Sequence, residues 1–181
     1  MPLPNFIKPK YTRAVTYSNH GYTFPMEPQE QKVWCWLAVA VSVERHYSPQ
    51  VQITQGKLAN ILLYRNDCDG GTPAASCLTE GNVVSALQHF GRFDSITKSH
   101  CTFSTVATEV YVEFPLVVRI RWKGTQLRHV VVIHGFKELG PQRWVFVSDP
   151  DRVGIEQVSY DDMKDSYNGN GEWIATIFTS F

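Results

Sequence analysis

Apolar residues follow two kinds of pattern, and the kind changes near the middle of the chain. Trp36, Val39, Ala40, Val43 and Tyr47 recur at helical spacing, and Pro49 stops the run. A second helical face carries Leu58, Ile61 and Leu62, with Thr54 placed to cap it. A third carries Val83, Val84, Leu87 and Phe90, with Thr79 as the expected cap and Gly91 just past its end. The polar stretch Asn66 to Ser76 separates the second and third. Beyond residue 115 the pattern becomes strand-like. Leu116 to Trp122, Leu127 to Phe136, Arg143 to Ser148 and Glu172 to Phe181 are rich in Val, Ile and aromatics, and Lys123-Gly124 and Gly140-Pro141 mark turns. A short helix is expected near Ser104 to Val112. Helices first and strands afterwards predict an α+β fold with an antiparallel sheet. Residues 1–28, with Pro2, Pro4, Pro9, Phe24, Pro25 and Pro28, read as an extended N-terminal arm ahead of one domain over 29–181.

The bulk numbers narrow the partners. In 181 residues, 43% are hydrophobic and 19% charged, the balance of a globular chain. Lys plus Arg and Asp plus Glu number 17 each, so no basic excess points to nucleic acid or to an anionic membrane. The longest apolar run, Trp34 to Val43 with only Ser42 interrupting, is too short to span a bilayer. The first 15 residues contain Pro2 and Pro4 and no continuous apolar core, so they do not read as a secretory signal.

One segment carries a chemical signature: Gln29-Glu30-Gln31-Lys32-Val33-Trp34-Cys35-Trp36-Leu37-Ala38. Cys35 falls where the first helix begins. A thiolate there meets unsatisfied N–H groups and the positive end of the helix dipole, which favour its ionised form. Its own N–H and the side-chain amide of Gln29 are candidate donors to an oxyanion, with Gln31 as the alternative to Gln29.

A base must come from six histidines. His46 and His89 fall on predicted helices, and His20 and His100 in irregular segments. His129 and His134 share one strand and, five residues apart, face opposite sides. A turn over Lys137 to Pro141 would set Phe136 opposite Gln142, His129 opposite Asp149, and His134 opposite Trp144. Opposed side chains come within about 5 Å at Cβ, so Asp149 could hold the His129 ring. Asp151 is its neighbouring alternative.

Gln29 followed by Trp34-Cys35-Trp36 and Ala38, with His129-Val-Val-Val-Ile-His-Gly135 and Asp149-Pro150, resembles the papain-like cysteine peptidases. The likeness is strongest to a compact bacterial branch that includes secreted effector proteases of plant pathogens, and bacteriocin-processing peptidases are more distant. Trp-Cys-Trp is also similar to the cysteine segment of transglutaminases, so acyl transfer is the alternative, and a catalytically silent binding module is a third. The resemblance spans roughly residues 29–178 and implies a helical half carrying Cys35 and a β half carrying His129 and Asp149. It implies no cofactor and no metal, and a protein or peptide substrate. An exported effector or toxin that acts as a monomer, with a cognate inhibitor or immunity protein as partner, completes the expectation.

Cys68 and Cys77 bracket a loop that needs fastening, and a disulfide there would contribute about 2–3 kcal/mol under oxidising conditions. Similar-looking relatives carry cysteines in this loop. The rival is a zinc site built from Cys68, Cys77, His100 and Cys101, whose spacing fits no usual pattern.

Overall fold

The computed structural model describes residues 19–152 and 154–181. Of the expected arm, residues 1–18 lie outside the described residues. The remainder enters as strand β1 (Asn19–Gly21) and runs extended, with Phe24 buried, into helix α1 (Cys35–Tyr47). Helix α2 (Gln55–Leu62), a 3-10 turn at Ala75–Cys77 and helix α3 (Val83–His89) complete the helical half. Then come β2 (Phe93–Thr97), α4 (Phe103–Tyr111), β3 (Leu116–Trp122), β4 (Arg128–Leu139), β5 (Gln142–Ser148), β6 (Ile155–Ser159), α5 (Tyr160–Asp165) and β7 (Gly171–Thr179). This is the expected α+β, papain-like arrangement, with an antiparallel sheet ordered β2-β7-β3-β4-β5-β6. Strand β1 pairs with residues 135–137 of β4, beyond the segment that β3 occupies.

The sheet is covered on both faces, which explains why Val130-Val131-Val132-Ile133 is apolar without a break. Val117, Val130, Val132 and Ile177 pack with α1, α2 and α3, while Val118, Ile120, Val131 and Ile133 pack with α4 and α5. Helix α1 is buried almost all round, and its polar exceptions are used. Ser42, the one break in the apolar run, accepts the Glu27 N–H at 2.9 Å and donates to the Ala38 carbonyl at 2.7 Å. Gln55 accepts the Glu30 N–H and donates to the Pro28 carbonyl. Two polar side chains thereby pin residues 27–30 to the helices. Glu44, also buried, receives Arg92 at 2.6 Å and anchors the far end of α1 to the approach to β2.

Thr54 caps α2 as expected, accepting the Lys57 N–H. Thr79 does not cap α3. That helix begins later and takes Asn82, whose Oδ1 accepts the Val84 N–H at 3.0 Å, while the Thr79 carbonyl accepts the Trp36 indole N–H. The β4–β5 hairpin also differs from expectation. Gly140, at φ +58°, allows a turn of only two residues, so Leu139 faces Gln142 and Trp144 faces Lys137. A bulge between Ile133 and Gly135 then shifts the register again, and Ile133 faces Val147 and Val132 faces Ser148. His129 is therefore not directly opposite Asp149. Its ladder partner is Ile120 on β3.

Cys68 and Cys77 form a disulfide with Cα atoms 5.5 Å apart. The four-ligand zinc arrangement is not assembled. Two of its thiols are spent on each other, Cys101 is buried in the opposite core, and His100 is exposed.

Candidate active site

Cys35 opens α1, and Trp34 before it has no side-chain cap. No acceptor among the described residues takes the Cys35 N–H, so it stays free at the positive end of the helix. The two flanking tryptophans hold this start in place. Trp34 is fully buried and donates to the Cys77 carbonyl at 2.8 Å, which ties the start of α1 to the disulfide loop. Trp36 donates to the Thr79 carbonyl at 3.3 Å and lies flat against Gly81, where a Cβ would stand 2.2 Å from the ring. Only glycine fits there.

His129, second residue of β4, brings its imidazole to Cys35 and to Asp149 together. Its Nε2 lies 2.6 Å from Asp149 Oδ1, which leaves Nδ1 uncommitted, and the Cys35 side chain is close enough to act on the charge of the ring. Asp149 sits one residue past the end of β5 and reaches His129 diagonally, beyond the last ladder pair. The expected partnership holds although the expected register does not. All three groups are at most 9% exposed, so their charges act on one another with little solvent screening. Burial alone would lower the His129 pKa, but the Asp149 carboxylate and the Cys35 sulfur overcome it and raise the value to about 10. Burial likewise works against ionising Asp149, yet its hydrogen bonds bring its pKa below the ordinary carboxylate value.

Two further donors hold the Asp149 carboxylate, and sequence reasoning did not single out the first, Tyr167. Tyr167 donates its hydroxyl to Asp149 Oδ2 at 2.9 Å, while the Asp151 N–H donates to Oδ1 at 2.9 Å. Asp151, the alternative carboxylate, is thus a backbone donor with an exposed side chain. Burial and the neighbouring carboxylate push the Tyr167 phenol up, so it stays a donor. Trp122 stacks on both the His129 and the Tyr167 ring, with centroids 6.2 and 6.4 Å away and interplanar angles of 23° and 25°. The signal for Tyr167 was faint: an aromatic residue ahead of Asn168-Gly169-Asn170-Gly171, closing onto the last strand.

Gln29 is tied to the same region through its backbone, whose N–H donates to the Pro150 carbonyl at 2.8 Å. Its side-chain amide donates to the Lys32 carbonyl at 2.9 Å, which leaves one amide hydrogen uncommitted. Gln31 is used structurally, its carbonyl accepting the Trp34 N–H. His134 is excluded as a base by its own bonds. Nδ1 donates to the Tyr22 carbonyl at 2.8 Å and Nε2 accepts from Ser148 at 3.0 Å, and burial holds the ring neutral. His46 donates to the Glu113 carbonyl, His20 lies on β1, and His89 and His100 are exposed.

A helix-borne thiol beside a strand-borne imidazole, itself held by a buried carboxylate, defines a cysteine peptidase of papain-like architecture. The chain belongs to the Peptidase_C39 like family, whose model matches residues 22–179. Among curated proteins, none matches the chain in sequence. No helix among the described residues is long and apolar enough to cross a membrane.

Proposed function

We propose that the chain hydrolyses peptide bonds of a protein substrate through a thioester acyl-enzyme, with Cys35 as nucleophile and His129 as base. The observation that carries this reading is the buried His129–Asp149 hydrogen bond on an imidazole whose charge the Cys35 side chain also influences. His129 takes the thiol proton on Nδ1, and Asp149 stabilises the imidazolium through Nε2. The thiolate attacks the carbonyl carbon, and the oxyanion receives the Cys35 N–H and the free amide hydrogen of Gln29. His129 returns its proton to the leaving amine as the C–N bond breaks. Water then gives its proton to His129 and hydrolyses the thioester, releasing the acid and restoring the thiol.

The Cys68–Cys77 disulfide supports work in an oxidising compartment, in keeping with an exported effector or toxin. The decisive measurement is the rate of Cys35 alkylation by iodoacetamide across pH, in the wild type and in His129→Ala. Cys101, the other free thiol, is buried and pushed up to about 11, so it stays silent at low pH. Fast labelling well below a free thiol's value of about 8.5, lost in the variant, is expected. An ordinary thiol titration in both proteins would refute the activated pair. With a peptide substrate and a competing primary amine, the free acid is expected, and a dominant amide conjugate would identify an acyl transferase.

A further inference from the structure

The sheet face beneath α1 carries three arginines, two of which line a cleft with Cys35, and only the third is neutralised. On β3, Arg119 and Arg121 lie two residues apart and share a face, and Arg128 on β4 is the ladder partner of Arg121. Arg121 faces Glu172 on β7 and forms an ion pair with it. Arg119 has no such neighbour: its ladder partners are Val130 and Ala175. Among the described residues, neither Arg119 nor Arg128 has a carboxylate within 4 Å. The one hydrogen bond of Arg119 is a 3.5 Å contact to Asn82 Oδ1, an oxygen that already accepts the Val84 N–H. Most guanidinium donors of this half-buried side chain are therefore unused.

Both arginines open into one cleft of about 340 Å³, which is also lined by Cys35, Trp36, Glu80 and Val130. Glu80 lies exposed at its rim and makes no ion pair with either arginine. The cleft is bounded by Cys35 on one side and by Arg128 and Val130, which flank His129 in sequence, on the other. Burial and the nearby Arg128 both lower the Arg119 pKa, which means the pair is held together at a cost that an anion would relieve.

We infer that this cleft is a specificity pocket for an acidic substrate residue, with Arg119 and Arg128 binding its carboxylate beside the scissile bond. The inference rests on the peptidase reading above. Arginine suits the task because its planar fork offers paired donors to a carboxylate. A neutral or basic side chain entering the same cleft would leave two unpaired cations facing it, so the device selects by exclusion as well as by attraction.

The test is cleavage of a proteome-derived peptide mixture, with the new ends sequenced, by wild type, Arg119→Gln/Arg128→Gln and Arg119→Lys/Arg128→Lys. Iodoacetamide labelling of Cys35 in each verifies that the relay is intact. Wild type is expected to cut where Asp or Glu occupies one fixed position near the bond. Replacing that Glu by Gln should lower kcat/KM on the order of tenfold, the usual worth of a hydrogen bond to a charged group. The glutamine variant should lose the preference and the lysine variant keep most of it. Cleavage by wild type without an acidic preference overturns the pocket and leaves the peptidase standing. Fast labelling with no cleavage of any peptide overturns the peptidase reading, and the pocket falls with it.

Discussion

Substituting Gly81 by alanine isolates the contact that seats Trp36 beside Cys35. The added Cβ would meet three atoms of the Trp36 ring at 2.2, 2.3 and 2.5 Å. Carbon atoms rest about 3.5–4.0 Å apart, so the ring or the 79–82 segment must give way by more than roughly 1 Å. The ring has little freedom to do so, since it is 3% exposed and bonded to the Thr79 carbonyl. Gly81 has no positive φ, so alanine brings no backbone strain and the effect is steric. Overpacking of this kind costs about 1–3 kcal/mol. Because Trp36 adjoins Cys35, the sulfur should move as well, and a misplacement of about 1 Å costs on the order of a hundredfold in rate. Urea denaturation should give a lower midpoint with an unchanged slope, and Cys35 alkylation at neutral pH should slow together with peptide cleavage. Wild-type stability together with wild-type alkylation in Gly81→Ala would refute the view that Trp36 positions the nucleophile.

Tyr167→Phe removes one hydrogen bond to a buried carboxylate and should cost about 1.5–3 kcal/mol, with the low-pH limb of Cys35 labelling moving upward. Unchanged stability and an unmoved limb would show that Asp149 does not depend on the phenol. His129 is raised to about 10 in the fold, so its protonated form stabilises the protein fully below 6.5 and progressively less as pH rises towards 10. The Tm gap between wild type and His129→Gln should accordingly narrow over that window, and a gap that widens would contradict the ion pair. Opening the Cys68–Cys77 disulfide in Cys68→Ser/Cys77→Ser should cost roughly 2.5–3 kcal/mol, read by denaturation with and without reductant on the wild type. Equal stability with and without reductant would mean that the bridge does not constrain the unfolded chain.

The elements that sequence patterning revealed, helices α1 to α4 and strands β3, β4, β5 and β7, are those with a marked apolar face or a fully buried composition. Strands β2 and β6 escaped because they form the two edges of the sheet. Phe-Asp-Ser-Ile-Thr is mostly exposed, Ile-Glu-Gln-Val-Ser has no fully buried residue, and neither sequence alternates apolar and polar residues. Cys35, His129 and Asp149 were legible because their chemistry confines them to a helix start, a strand start and a strand end. Their supporting cast was not. Tyr167, Trp122 and the arginines gain meaning only from neighbours on strands distant in sequence. The hairpin register failed for a related reason, since neither a two-residue turn nor a bulge announces itself in a continuous apolar run.

That bulge divides β4 into two segments of opposite parity. Val131 and Ile133 precede it and Phe136 follows it, yet all three enter the same core, although an unbroken strand would send position 136 to the other side. Gly135 is what permits the change, because a Cβ there would stand 2.3 Å from the Phe146 ring. Straightening the strand would force a choice between the two segments. Keeping Phe136 inside would turn over residues 129–133, exchanging the valines of the two cores and swinging His129 away from Cys35. Keeping His129 would expel Phe136 from its core. A single glycine therefore reconciles two demands on one strand, and a one-residue insertion or deletion between His129 and Gly135 should abolish activity more readily than any point substitution of the intervening valines.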